Sequence, residues 1–198
     1  SLMNEAAILA ARENRTKVSQ FDLIRSIEKV MLGPERRSHI LSKKEKEITA
    51  YHEAGHALVA SVLPFSDPIH KISIISRGHA AGYTLKLPIE DRRLQTKNEF
   101  LDDIAMSLGG YVTEKIIFGD LTTGPSNDLQ VSTALARDMV TKYGMSENLG
   151  PVALEESNGK TLFGRGVNEK EYSEEVGAMI DKEVSKIMKD AYERAENI

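Results

Sequence analysis

A chain of 198 residues, 40% hydrophobic and 28% charged, is long enough to bury a core without cross-links. It has no cysteine, which excludes a disulfide framework, a cysteine metal site and a thiol nucleophile, so any transition-metal site must use His, Asp or Glu. The net charge of -4 comes from interspersed acids and bases, with no basic tract of the kind that marks nucleic acid or an anionic membrane.

No apolar run nears the roughly 18 residues that span a bilayer, and no signal-peptide pattern opens the chain, so the segment itself is expected to be soluble. Leu2 to Arg12 reads as a helix rich in Ala, Leu and Ile. Ser19-Gln20-Phe21-Asp22 resembles a capping box, and Phe21, Ile24, Ile27 and Val30 follow at helical spacing until Gly33-Pro34 stops them. Ser42-Lys43-Lys44-Glu45 is a full capping box. The helix it opens runs to Leu63 before Pro64, with Ile48, Tyr51, Leu58 and Val62 as its apolar stripe. His70 to Ser76 and Tyr83 to Leu87 read as two strands of a hairpin around a glycine-containing turn.

Thr96-Lys97-Asn98-Glu99 caps a helix expected to end at Gly109-Gly110, with a separate short helix from Tyr111 to Phe118. After the loop Asp120 to Pro125, Ser126 or Asn127 caps a helix reaching Tyr143, and Gly144 suits its stop. Glu155 to Gly166 reads as a polar surface loop. Ser173 opens a last amphipathic helix through Val176, Met179, Ile180, Val184, Ile187, Met188 and Ala191. The sum is a mainly α fold with a small β-sheet, in which the first 32 or so residues stand apart from a main domain.

The chemistry concentrates in His52-Glu53-Ala54-Gly55-His56, inside a predicted helix. Residues four apart on a helix differ by about 40° around the axis and about 6 Å along it, so both imidazoles leave one face and can bind one ion. Glu53 lies about 100° round from His52, beside the metal, where a general base belongs. Zinc makes water acidic near pH 7 and polarises a scissile carbonyl. Glu53 then takes the water's proton and passes it to the leaving amine. Gly55, a poor helix residue, leaves room for another backbone to approach.

A catalytic zinc needs a third protein ligand. One related pattern puts glycine and histidine three and six residues after the second histidine, but Val59 and Val62 stand there. His39, His70 and His79 read as surface histidines. Glu114 and Asp128 remain, and spacing does not choose between them: either can be a ligand, or can orient a ligand histidine through its other nitrogen. The chain has no Gly-x-x-x-x-Gly-Lys-Ser/Thr phosphate loop and no Gly-x-Ser-x-Gly nucleophile motif. The rival reading is a non-catalytic assembly module, against which Glu53 itself argues.

Ala50-Tyr51-His52-Glu53-Ala54-Gly55-His56-Ala57, Pro68 to Ile75, Leu108-Gly109-Gly110, Thr122-Thr123-Gly124-Pro125-Ser126-Asn127-Asp128-Leu129, Tyr143-Gly144-Met145-Ser146 and Leu149-Gly150-Pro151 together resemble FtsH-type AAA zinc metalloproteases, in order and at similar spacing. The resemblance implies a mainly helical FtsH-like zinc peptidase domain over 42–198, a linker over 33–41, and the C-terminal end of an ATPase lid over 1–32. It implies one Zn2+ per chain held by His52, His56 and Asp128, with Glu53 as base and Glu114 left to support a ligand. It also implies a homo-hexamer, ATP bound only in a part outside this chain, and N-terminal spans, also outside it, in a bacterial or organellar inner membrane. Unfolded or membrane proteins are then the substrates, and nucleic acid is not a partner. Ile72, Ser73, Ile74 and Ile75 become an edge strand that holds an extended peptide by backbone bonds. Pro125 and Tyr111-Val112-Thr113 depart from the family pattern near the site.

Overall fold

The computed structural model describes residues 1–33, 41–76, 81–87, 93–154 and 172–198. In chain order these form α1 (Leu2–Arg12), α2 (Gln20–Leu32), α3 (Lys43–Val62), β1 (Ile69–Ser73), β2 (Tyr83–Lys86), α4 (Lys97–Phe118), α5 (Ser126–Thr141) and α6 (Glu174–Glu196). β1 and β2 pair as an antiparallel two-stranded sheet, so the fold is mostly helical with a small sheet, as the sequence predicts. The glycine turn between the strands and the polar stretch from Glu155 fall largely or wholly outside the described residues.

The capping signals are met by real hydrogen bonds. Ser19 and Asp22 close their box reciprocally, as do Thr96 and Glu99. The Ser42 N–H donates to Glu45 at 2.7 Å while the Glu45 N–H donates to the Ser42 hydroxyl at 3.1 Å. Ser173 accepts from the Val176 N–H at the start of α6. Each box satisfies backbone donors that the first helical turn leaves without partners.

Several expectations are corrected. Gly109-Gly110 does not end a helix, because α4 runs unbroken for 22 residues to Phe118 and stops at Gly119, which adopts φ 66°. The two glycines serve packing instead. β1 ends at Ser73, not Ser76, where the Ser73 hydroxyl takes the Ile75 N–H at 3.1 Å and turns the chain out of the ladder. The N-cap of α5 is Pro125, which is buried, not Ser126 or Asn127. That helix stops at Thr141; Gly144, at φ 59°, follows, and the Met145 N–H bonds back to the Met139 carbonyl at 2.9 Å. Of the apolar stripe assigned to α3, Tyr51, Leu58 and Val62 face solvent, at 42%, 55% and 57% exposed, while Ile48 is half-buried. Phe21 and Val30 of α2 are likewise exposed.

The chain divides into two compact units, Ser1–Ala50 with Ser73–Tyr83, and Tyr51–Ile72 with Thr84–Ile198. In the first, α1 and α2 pack through Ala6, Leu9 and Ala10. Asp22, fully buried, takes both amino groups of Arg15 at 2.5 and 2.6 Å besides serving its capping box. The Arg15 guanidinium holds the Asp22 carboxyl well below the usual carboxylate range. In the second, α4, α5 and α6 pack against one another around Ile104, Leu108, Met139, Val140, Ile180 and Val184. Asp102 of α4, buried among them, accepts from the Phe65 N–H at 2.9 Å and from Arg194 of α6 at 2.7 Å. Those two bonds tie the loop after α3 and the end of α6 to the central helix. All the side chains of the site described next belong to this second unit.

Candidate metal centre

The buried face of α3 is His52, Glu53, Gly55, His56, Val59 and Ala60. It lies against α4 at a separation only glycine permits. A Cβ on Gly55 would sit 2.5 Å from the Gly109 carbonyl oxygen and 2.2 Å from the Thr113 hydroxyl. A Cβ on Gly109 would sit 2.7 Å from the Gly55 carbonyl oxygen, and one on Gly110 would sit 2.4 Å from the His52 ring. The close approach foreseen for Gly55 is therefore made by the α4 backbone, and the paired glycines of α4 are the other half of the same contact.

This contact lets α4 fix both imidazoles. The Nδ1–H of His56 donates to the Met106 carbonyl at 2.8 Å, and the Nδ1–H of His52 donates to Glu114 Oε1 at 2.8 Å. A carbonyl and a carboxylate can only accept, so each Nδ1 carries a proton and each neutral Nε2 presents a lone pair. The two Nε2 atoms lie 3.0 Å apart with their rings nearly perpendicular, at 82°. Asp128, in the first turn of α5, brings Oδ2 to 3.2 Å from His52 Nε2 and 3.5 Å from His56 Nε2.

Three electron-pair donors thus converge. A tetrahedral ion with bonds of about 2.0–2.1 Å spaces its ligand atoms about 3.3 Å apart, which is the spacing found here. Two nitrogens and one carboxylate oxygen are a ligand set that zinc accepts. Among the described residues, these three form the one group of His, Asp and Glu side chains able to hold a metal ion. The histidine side chains are 9–11% exposed while that of Asp128 is 27% exposed, so the cluster meets solvent on the Asp128 side.

The electrostatics follow from that crowding. In the metal-free chain, burial drags His52 down, but its bonds to Asp128 and Glu114 outweigh this and leave it above its ordinary value. Burial pushes the Asp128 carboxyl up, yet the two imidazoles overcome that and hold it at about 2. Its place in the first turn of α5 also suits a negative charge. Burial dominates at Glu53 and raises it, against the opposing pull of Thr84 and both histidines.

Glu114 is almost completely buried and does two things. One oxygen holds His52, and the other accepts from both the backbone N–H and the hydroxyl of Thr122, at 3.0 and 2.9 Å. The Thr122 hydroxyl accepts in turn from the Gly124 N–H at 3.0 Å, shaping the loop that delivers Asp128. One carboxylate so links a histidine on α3 with the loop that carries Asp128. Thr84 of β2 touches Glu53, donating to its Oε2 at 2.8 Å.

Of the other sequence candidates, His70 is exposed on β1, and His39 and His79 lie outside the described residues. Ile72 and Ser73 belong to β1, whereas Ile74 and Ile75 follow its end, and the three isoleucines are 41–51% exposed. Thr84, Thr122 and the Met106 carbonyl were not singled out from the sequence. The alternation Tyr83-Thr84-Leu85-Lys86, with Tyr83 and Leu85 buried, could have pointed to Thr84. A backbone carbonyl in mid-helix carries no sequence signal.

The model of peptidase family M41 matches residues 39–198. An ATP-dependent zinc metalloprotease FtsH 1 of Sphaerobacter thermophilus is 50% identical across 100% of the chain, which covers 30% of that relative. The ATP-dependent zinc metalloproteases FtsH of Thermotoga maritima and Bacillus subtilis are 49% and 48% identical, again across 100% of the chain, covering 33% and 31% of those proteins. The chain thus spans about a third of the length of the curated relatives it matches.

Proposed function

The chain belongs to peptidase family M41, and from that premise we propose that it is a zinc-dependent endopeptidase acting as the proteolytic part of an ATP-driven membrane protease. The observation that carries the reading is the meeting of three lone-pair atoms within 3.0–3.5 Å, with the Glu53 carboxylate on the same buried helix face. Without a proton or a metal cation between them, these lone pairs repel. The relatives' names, each a zinc metalloprotease, support zinc as that cation.

In this reading His52, His56 and Asp128 hold one zinc ion. When bound, zinc supplies a Lewis acid for the scissile carbonyl and makes water acidic near neutral pH. Glu53 accepts the proton of the attacking water and returns it to the departing amine, a role for which a buried carboxylate raised above its ordinary value is suited. The bonds from Glu114 and the Met106 carbonyl keep the two rings in the tautomer that offers Nε2, and Glu114 is the supporting group. The exposed isoleucines from Ile72 to Ile75 support an edge that binds extended peptide through its backbone, with little regard to sequence.

The rest belongs to the longer protein. Residues 1–32 end an ATPase lid, 33–41 link it to the peptidase domain over 42–198, and ATP binds outside this chain. The whole assembles as a homo-hexamer, held in a bacterial or organellar inner membrane by spans outside the chain, and degrades unfolded or membrane proteins. No helix among the described residues is long and apolar enough to cross a membrane.

The test is direct. Glu53→Gln should keep one zinc per chain and lower casein cleavage by about 10²–10⁴-fold, the range expected for a positioned base. Asp128→Ala should release zinc. Zinc retained in Asp128→Ala but lost in Glu114→Ala would reassign the third ligand. Cleavage indifferent to chelation would leave the metal a purely structural role.

A further inference from the structure

Glu53 is 94% buried, because only 6% of it meets solvent, and a flexible carboxylate needs something to fix its aim. Water is largely shut out, so the protein must supply the partner. Among the described residues, the side chain that hydrogen-bonds the Glu53 carboxylate is Thr84, at 2.8 Å. The same hydroxyl lies 3.1 Å from the Glu53 backbone carbonyl, so it is registered to the α3 backbone as well as to the side chain. Thr84 is itself held in place. Its strand neighbours Tyr83 and Leu85 are buried, and Lys86, two residues along on the same strand face, bonds Asp103 of α4 at 2.5 Å. The strand therefore carries the hydroxyl to Glu53 from a frame anchored independently of Glu53.

We propose that Thr84 is a positioning residue for the general base: its hydroxyl holds the Glu53 carboxylate in the one orientation from which it reaches the attacking water. This rests on the assignment of Glu53 as the base. Thr84 is not among the three residues placed to hold the metal, and it acts through Glu53. A hydrogen bond to a charged group matters most when the group is buried, and small errors in the aim of a base are expensive in rate.

Two substitutions in the full 198-residue chain separate the hydroxyl from the shape. Thr84→Val is close in volume and favoured in a strand, so it removes the hydroxyl and little else. It should lower kcat on casein by about 10- to 100-fold, with KM within about twofold, zinc still at one per chain and a melting temperature lowered by no more than about 10 °C. Thr84→Ser restores the hydroxyl and should stay within about threefold of the parent. Carbon-13 NMR of the metal-free protein gives a second readout, with the Glu53 carboxyl signal identified by its absence in Glu53→Gln. That signal should move in Thr84→Val and stay in Thr84→Ser. Parent-like kcat in Thr84→Val, equal losses in Val and Ser, loss of zinc, or an unmoved carboxyl signal would each overturn the proposal. If the parent itself shows no metal-dependent cleavage, the base assignment fails, while the NMR arm still decides whether Thr84 holds Glu53.

Discussion

α6 and α3 are helices of 23 and 20 residues that present opposite faces to the protein. α6 buries its apolar stripe, with Ile180, Val184 and Ala191 inside. α3 turns Tyr51, Leu58 and Val62 to solvent and buries two histidines, a glutamate and a glycine. Hydrophobic burial explains the first helix. The second is held by hydrogen bonds to its histidines, by Val59 and Leu63 in the core, and by the glycine contact that lets α4 come close. A helix built around polar chemistry gives up the simplest source of stability on that face, and the surrounding elements compensate.

The contrast can be broken first at the apolar positions. Ile180→Ala removes a fully buried side chain and should lower stability by about 2–5 kcal/mol in urea unfolding. Leu58→Ala, on the exposed stripe, should change it by less than about 0.5 kcal/mol. A large loss at Leu58 would mean that the exposed face has a partner in solution.

Glycine sharpens the comparison further. Gly55→Ala forces a Cβ to 2.5 Å from the Gly109 carbonyl, so overpacking of about 1–3 kcal/mol should outweigh the gain in helix propensity and loosen metal binding. Gly177→Ala in α6 meets Tyr172 at an ordinary 3.4 Å and should stabilise by up to about 1 kcal/mol. Circular-dichroism melts of the two variants should therefore move in opposite directions.

The smallest effect separates the metal-free and metal-loaded states by pH. His52 is raised in the folded metal-free chain, so its contribution is complete below its ordinary value of about 6.5 and is lost as pH rises through the raised one. Asp128 is held at about 2, so its contribution is complete above its ordinary 3.8 and is lost as pH falls toward 2. The chelated protein should accordingly melt higher near pH 5.5 than near pH 8. The zinc-loaded protein should show the reverse, because zinc must displace the His52 proton. Parallel melts with and without chelator check the sign.

Sequence patterns located the starts of α2, α3, α4 and α6, because a cap is a local contract between residues three apart: Ser19, Ser42 and Thr96 keep it as full boxes, and Ser173 accepts from the Val176 N–H. They failed at Gly109-Gly110. A glycine pair reads locally as a stop, and nothing nearby in the chain reveals that a helix some 50 residues earlier needs the room. They failed at the α3 stripe for the same reason, since which face is buried depends on what the face meets.

By itself, the sequence determined that His52 and His56 leave one side of a helix with Glu53 beside them, because helical geometry is fixed by local bonding. Spacing alone left Glu114 and Asp128 as equal candidates, and it was the family resemblance of the surrounding motifs that favoured Asp128. Only the tertiary structure put Asp128 beside the Nε2 atoms and Glu114 behind the His52 ring, and set Thr84 against Glu53. Those pairings join residues 31 to 76 positions apart, and only the packing of helices and strand against one another can bring such distant groups within bonding reach.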